Sequence, residues 1–401
     1  MNVRGALAAV AAVLCAPCMA QVTGNVVRLG VLSDMSSLYA DGTGMGSVAA
    51  ARMAVEDSGI ERRGIRVEVV HADHQNKPDI GMVTARRWYD VEGVDAIVDV
   101  PTSSVALAVS QLTRDKNKVL LASGAGSSDL TGKACSPNTV HWTYDTWMLA
   151  NATGRLVTRR GGDTWFFITA DYAFGHALER DTIAAIARDG GRSLGSVRTP
   201  LNTSDFGSYL LQAQASKAKV IGLANAGGDA TTAMKQAAEF GIARGGQRVA
   251  GLLIGLNDIH ALGLATAQGL TFVEAFYWTK NDATRAFARR FAPRHRGIHP
   301  NAIHAGVYAA ILHYLKAVEA LAGDADGAAI VAWMKATPTD DALFGKGTIR
   351  ADGRKVHPVY LVEAKAPAES REPWDYHKLL ATIPAEEAFR PLSEGGCPLV
   401  R

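Results

Sequence analysis

Two stretches, Ala96-Ile-Val-Asp-Val-Pro-Thr-Ser-Ser104 and Val119-Leu-Leu-Ala-Ser-Gly-Ala-Gly-Ser-Ser-Asp129, decide how the chain reads. Each begins with a short apolar run. Strands buried on both faces of a parallel sheet have this character, because neither side meets water. Each run then empties into a loop of small, hydroxyl-bearing residues, and a helical run reaching Lys116 lies between them. In an open α/β sheet the ligand crevice lies beyond the carboxyl ends of the strands. Ser/Thr loops there can offer hydroxyls and, at a helix start, backbone N–H groups to an anion. The plainer reading, in which the loops are only turns and helix caps, stands beside it.

Upstream, residues 26–32 read as a buried strand, followed by a loop to Gly42 and a helix over 44–57. Residues 65–73 form a second strand, and a helix over 79–92 carries Met82, Ala85, Trp88 and Tyr89 on one face. The result is β-α-β-α-β-α-β with short connections, the mark of a doubly wound parallel sheet. The rhythm breaks at His141-Trp-Thr-Tyr-Asp-Thr-Trp147, which has neither helical nor strand periodicity. Alternation then restarts, with strands at 164–169, 193–199, 220–224 and 249–254 and helices at 175–189, 205–216 and 229–240. A second α/β domain follows from this. Residues 281–296, 301–322 and 327–336 read as helices, 357–362 as a strand, and 367–401 as irregular.

A chain of 401 residues is too long for one ordinary domain. Its 48% hydrophobic and 20% charged residues fit a globular protein with a full core. The net charge is +3 with both signs intermixed, so nothing marks a nucleic-acid partner. Residues 1–20 read as a signal peptide: Arg4 is followed by an apolar run from Ala6 to Leu14, and Cys18-Met-Ala20 is an A-x-A-like cleavage site. Leu14 and Pro17, the residues before Cys15 and Cys18, argue against lipidation. Cleavage leaves Cys135 and Cys397. Two cysteines in an oxidising compartment suggest one disulfide, with two free thiols as the alternative.

These residues together resemble a known family. Gly30-Val-Leu-Ser-Asp-Met-Ser36, Asp73-His-Gln-Asn-Lys-Pro78, Thr102-Ser-Ser104, Asp129-Leu-Thr131, Asp171-Tyr-Ala-Phe-Gly175 and Ala237-Ala-Glu-Phe-Gly-Ile242 follow each other in the order and spacing of the type I periplasmic solute-binding proteins of ABC transporters, in the leucine/isoleucine/valine-binding branch. The resemblance covers about residues 26–364. It implies two doubly wound parallel-sheet lobes joined by three crossovers, near 141–146, 270–278 and 347–357. The expected N-terminal lobe spans 24–142 plus 273–348. The C-terminal lobe spans 143–272 plus 349–375, and 376–401 is a tail tied back by a Cys135–Cys397 disulfide. It also implies a periplasmic monomer that binds a small organic acid, hands it to an ABC permease, and uses no cofactor or metal and catalyses no reaction. A periplasmic sensor would use the same fold.

The resemblance assigns the ligand carboxylate to Thr102, Ser103 and Ser104 and to Ser123, Gly124, Ala125 and Ser127. Tyr172 or Phe174 would cover the ligand from the second lobe, with Asn225, Ala226, Asn257 and Asp258 completing the cleft and Tyr39 and Trp142 nearby. Amino-acid binders keep an acidic residue in the loop after Ile254 to receive the ammonium. That loop here begins Gly255-Leu-Asn257, with Asp258 one position later. An unpartnered buried ammonium is costly. The expectation is therefore an aromatic or other apolar acid lacking the amine, with amino-acid binding through Asp258 as the alternative.

Other motifs carry less. Gly191-Arg-Ser-Leu-Gly195 matches G-x-S-x-G but lies between a helix and a strand, whereas a nucleophile elbow needs strand, turn, helix. His71 and His74 with Asp73 lack a third metal ligand.

Overall fold

The computed structural model describes residues 25–400. The expected signal peptide lies outside them. Five parallel strands form the first sheet: β1 (Val26–Ser33), β2 (Arg66–Asp73), β3 (Ala96–Asp99), β4 (Val119–Ala122) and β5 (Thr139–His141), in spatial order β2-β1-β3-β4-β5. The apolar runs of β3 and β4 are buried on both sides, and alternate residues enter different cores. Ala96, Val98, Val119 and Leu121 pack with Val48 and Val307, from helices Gly44–Ser58 and Ala302–Leu321. Ile97 and Leu120 pack with Trp88, Val105 and Val109 on the other face. The two helices meet closely at Gly46, where a β-carbon would collide with the His304 ring.

The second parallel sheet holds β6 (Thr164–Ala170), β7 (Arg192–Thr199), β8 (Val220–Ala224) and β9 (Arg248–Gly251), in order β7-β6-β8-β9. Downstream come β10 (Thr271–Glu274), then β11 (Thr339–Asp341), β12 (Gly345–Ile349) and β13 (Lys355–Val356) as a small antiparallel unit, then β14 (Val359–Ala364) and β15 (His377–Ile383). Strands β10, β14 and β15 form a third, antiparallel sheet. Phe272 and Val362 belong to the core of the second parallel sheet, whereas Phe276, Trp278 and Ile349 belong to that of the first. The chain therefore passes between two lobes after β5, after β10 and around β13.

Two of these passages are stitched by one buried cation. Arg354, 0% exposed, donates to the carbonyls of Trp142 and Tyr144 at 3.1 and 2.9 Å, and its Nε lies 3.7 Å from an Asp145 oxygen. A guanidinium suits this place because its fork of donors can satisfy several acceptors at once. His357 adds a contact between its Nε2 and the Thr143 carbonyl at 3.1 Å.

Two expectations need correction. The break at 141–147 is not wholly irregular: β5 ends in it at His141, and a helical turn, Thr146–Leu149, starts in it, capped by the Asp145 carboxylate accepting the Met148 N–H at 2.8 Å. The stretch after 367 also contains β15, which joins the third sheet. Most of β15 is exposed, so its sequence has no buried alternation to announce it. Cys135 and Cys397 are bonded, with Cα atoms 5.6 Å apart. Among the described residues no helix is long and apolar enough to cross a membrane.

Candidate functional site

The carboxyl ends of the two parallel sheets face each other, and a cavity of about 330 Å³ lies between them. Its first-lobe side is shaped by the loop after β1. The buried Asp34 carboxylate accepts the N–H groups of Ser37 at 3.0 Å and Tyr39 at 2.8 Å, and the Asn76 amide at 2.8 Å. Burial disfavours its charge, but these donors overcome that and hold its pKa below the usual carboxylate value. The loop so fixed presents Leu38 and Tyr39 to the opposite lobe.

Three sets of contacts close the cleft. The Tyr39 and Tyr172 hydroxyls are 2.6 Å apart. Asn257 donates to the Asp41 carbonyl at 2.8 Å and accepts from the Asn301 amide at 2.8 Å. Gly227, at φ +56°, meets the first loop where a β-carbon would lie 2.7 Å from the Leu38 oxygen. Only glycine combines that left-handed backbone with so close an approach. Tyr144, Met148, Leu149, Tyr172, Phe174, Leu253, Ile254, Val273 and Ile303 supply aromatic and aliphatic walls.

The charges on these walls have one sign. Asp258 and Glu274 line the cavity and Asp41 lies at its exposed rim, while no Lys or Arg contributes among the described residues. Asp258 sits in the first turn of helix Leu256–Leu262 and accepts the Gly255 N–H at 2.9 Å. Burial, helped by the neighbouring Glu274 and Asp41 charges, pushes its pKa up to about 7 against that hydrogen bond. Glu274, 6% exposed, lies 3.3 Å from His377 Nε2, and burial raises its pKa as well.

An interlobe cavity at the carboxyl ends of two doubly wound sheets has relatives. Residues 26–370 match the family of periplasmic binding proteins. The chain belongs to that family. A periplasmic binding protein from Burkholderia mallei is 47% identical, with a TM-score of 0.92 over 94% of this chain and 100% of that one. A branched chain amino acid ABC transporter periplasmic ligand-binding protein from Burkholderia xenovorans LB400 is 41% identical, with a TM-score of 0.82 over 94% and 100%. An ABC-transporter solute binding protein from R. palustris, in complex with benzoate, is 19% identical with a TM-score of 0.78 over 89% and 96%, a likeness that shows the fold alone. No curated protein sequence matches. The family and fold are those of ABC-transporter solute-binding proteins, which act in the periplasm with a permease partner and are not enzymes.

In this periplasmic binding protein, Tyr39, Gly124, Tyr172, Phe174, Ala226, Asn257 and Asp258 from the sequence reading line the cavity together. Thr102, Ser103, Ser104, Ser123, Ala125, Ser127, Trp142 and Asn225 do not. Thr102 donates to the Asn76 side chain, and Ser103 Oγ accepts the N–H groups of Gly126 and Ser127 at 3.3 and 3.1 Å. Ser127 caps the turn before Asp129, Asn225 donates to Thr199 Oγ1 at 3.1 Å, and the Ala125 carbonyl meets His141 Nε2 at 2.6 Å. These groups brace the loops. Trp142 is fully buried in the first-lobe core, beneath the Lys355 ammonium. Glu274, Tyr144, Asn301 and Ile303 line the cavity without having been singled out as ligand contacts. Tyr144 stood in the quoted aromatic break, whereas Glu274 ends a strand-like run and has no sequence signal.

The turn beneath the cavity is strained. Asp99 and Val100 have φ of +77° and +52°, which costs about 1–3 kcal/mol each. They aim Pro101 into the cleft.

Proposed function

We propose that this protein captures a small amino acid with an apolar or aromatic side chain and delivers it to an ABC permease. The observation that carries the reading is Asp258, a carboxylate on the wall of a cavity to which no Lys or Arg contributes among the described residues. A half-buried carboxylate without a cation is a poor resting arrangement, and a ligand ammonium relieves it. The tyrosine and aliphatic walls suit an apolar body. Helices Ala302–Leu321 and Gly227–Glu239 begin at the cavity, and their N-terminal N–H groups suit the ligand carboxylate. The Burkholderia xenovorans relative, a branched chain amino acid ABC transporter periplasmic ligand-binding protein, agrees. The amine-free acid expected from the sequence ranks second here, because Asp258 and Glu274 form an acidic wall. Tyr39, Tyr172, Phe174 and Asn257 then act as contacts and closing residues, in a monomer exported by its signal peptide.

One observation favours a second reading. With its carboxyl near neutrality at about pH 7, Asp258 can donate a hydrogen bond to the carboxylate or hydroxyl of an amine-free acid. Calorimetric titration with L-leucine, L-phenylalanine and benzoate separates the two. The amino-acid reading expects leucine or phenylalanine to bind, and Asp258→Asn to weaken that binding at least 100-fold, since removing one partner of a buried ion pair costs about 3–5 kcal/mol. Benzoate binding alone, insensitive to Asp258→Asn, refutes it.

A further inference from the structure

We propose that Asp258 and Glu274 work as one two-carboxylate subsite, which holds a single proton while the cavity is empty and releases it to solvent when a ligand ammonium takes its place. This rests on the amine-bearing ligand proposed above and adds a second acidic residue and an exchange of charge.

The geometry begins at Gly255. A β-carbon there would lie 3.4 Å from Glu274 Oε1 and 4.0 Å from Asp258 Oδ2, so the two carboxylates crowd one small patch of wall. They come from different elements, Asp258 from helix Leu256–Leu262 and Glu274 from the end of β10. The groups facing them offer little positive charge. Asp258 receives the Gly255 N–H, and Asp41 stands at the rim as a third carboxylate. The Tyr144 phenol also lines the cavity and is held neutral far above its usual range, chiefly by burial and then by the surrounding phenol and carboxylates. Among the described residues the one basic side chain in contact is His377 of β15, which supports Glu274 from behind at 3.3 Å. Two carboxylates that share one largely desolvated wall do not both ionise readily. The shifts agree in direction: burial, then the Glu274 and Asp41 charges, raise Asp258 against its Gly255 bond, and burial raises Glu274 against His377 and the Leu256 N–H.

The exchange balances. The empty pair carries one proton and one negative charge. Binding an ammonium R–NH3+ gives two carboxylates and one cation, and the displaced proton goes to water. Amine capture is therefore weakened by acid, and in its working range each amine bound frees up to one proton. A single isolated carboxylate of ordinary pKa would free none near neutral pH.

The test has a ligand-free arm and a ligand arm. In the first, melting temperatures of wild type, Asp258→Asn and Glu274→Gln are followed from pH 4 to 8 without ligand. A carboxyl whose folded pKa is raised stabilises the fold below its unfolded pKa, and that stabilisation is lost as pH rises through the folded value. Each variant should therefore gain on wild type progressively as pH rises toward 8, and the double variant should gain less than the two single gains added. If both carboxylates serve only as helix and strand supports, the differences from wild type stay constant with pH, and the proposal is overturned. Should Glu274→Gln fail to fold, Glu274→Met takes its place, because Asp258→Asn alone reports a raised Asp258 and not the coupling.

In the second arm, L-leucine and L-phenylalanine are titrated near pH 6 in phosphate and in a zwitterionic amine buffer of larger ionisation heat. A buffer-dependent heat corresponding to proton release, smaller in Glu274→Gln, supports the exchange. Equal heats in both buffers overturn it. If neither amino acid binds, the function proposed above fails while the pH–stability arm still rules on the shared proton.

Discussion

Breaking the Cys135–Cys397 bridge should cost this protein more than any single surface contact. The bond closes a loop of 262 residues, from the first-lobe loop after β4 to the last residues of the chain. The chain-entropy relation gives a ceiling of about 5.6 kcal/mol for a loop of that length. Residual structure in the unfolded chain usually lowers the measured effect to about 2–4 kcal/mol. The folded tail has other anchors. Phe389 is 2% exposed, with the Arg354 guanidinium 4.5 Å from its ring centroid; Arg390 donates to the Ser128 carbonyl at 3.0 Å; and Arg188 pairs with Glu394 at 2.8 Å. These persist when the bridge is gone, so the native fold should survive and the loss should come from the freed unfolded state. Urea unfolding of wild type and Cys135→Ser/Cys397→Ser, followed by tryptophan fluorescence, measures it. We expect a loss of about 2–4 kcal/mol together with a steeper denaturant dependence, because the unbridged chain exposes more surface when unfolded. A loss under about 1 kcal/mol with an unchanged slope would refute the reasoning. It would mean that the tail leaves before the lobes unfold, so that the bridge constrains little.

Further outcomes follow from the same structure. Tyr39→Phe leaves the Tyr172 hydroxyl without its partner across the cleft, so each single variant should lose more ligand affinity than half the loss of Tyr39→Phe/Tyr172→Phe. A double-mutant cycle with a coupling of about 0.5–1.5 kcal/mol is expected, and zero coupling would show that the hydroxyl pair does not hold the closed state. Arg354→Met strands the Trp142 and Tyr144 carbonyls and the Asp145 carboxylate at two crossovers, and should lower stability by about 3 kcal/mol in urea unfolding. A loss under about 1 kcal/mol would mean that the crossovers hold without it. Gly227→Ala should block closure by setting a β-carbon against the Leu38 carbonyl. Small-angle scattering with saturating ligand should then show the open form, and a normal closed form would contradict the reading of that contact.

Much of the fold was legible because local rules and tertiary context agree. The runs at β4 and β8, and β3 up to Asp99, carry no polar side chain, and burial on both faces leaves them no other home. The helix over residues 327–336 has the same limits in the sequence reading and in the structure, with Asp326 capping the Ala329 N–H at 3.0 Å. β15 escaped because an exposed edge strand is defined by hydrogen bonds to its neighbour β14, and side-chain pattern does not record them.

The site divides along the same line. The sequence by itself determined two successive α/β units, and its resemblance to the family placed a cleft between them and named Tyr39, Tyr172, Phe174, Asn257 and Asp258 as residues near it. That information is local: each follows a strand-like run or sits beside one. Only the tertiary structure decided what the loop residues do there. Thr102, Ser103 and Ser127 have the right chemistry for an anion, but their hydroxyls are already engaged with Asn76 and with backbone N–H groups of residues 126–129. Glu274 looks like the end of an ordinary strand until Gly255, Asp258 and His377 close around it from separate parts of the chain. The sign of charge that a cavity offers depends on which side chains are excluded from it as well as on which are present, and that is a property of the folded chain alone.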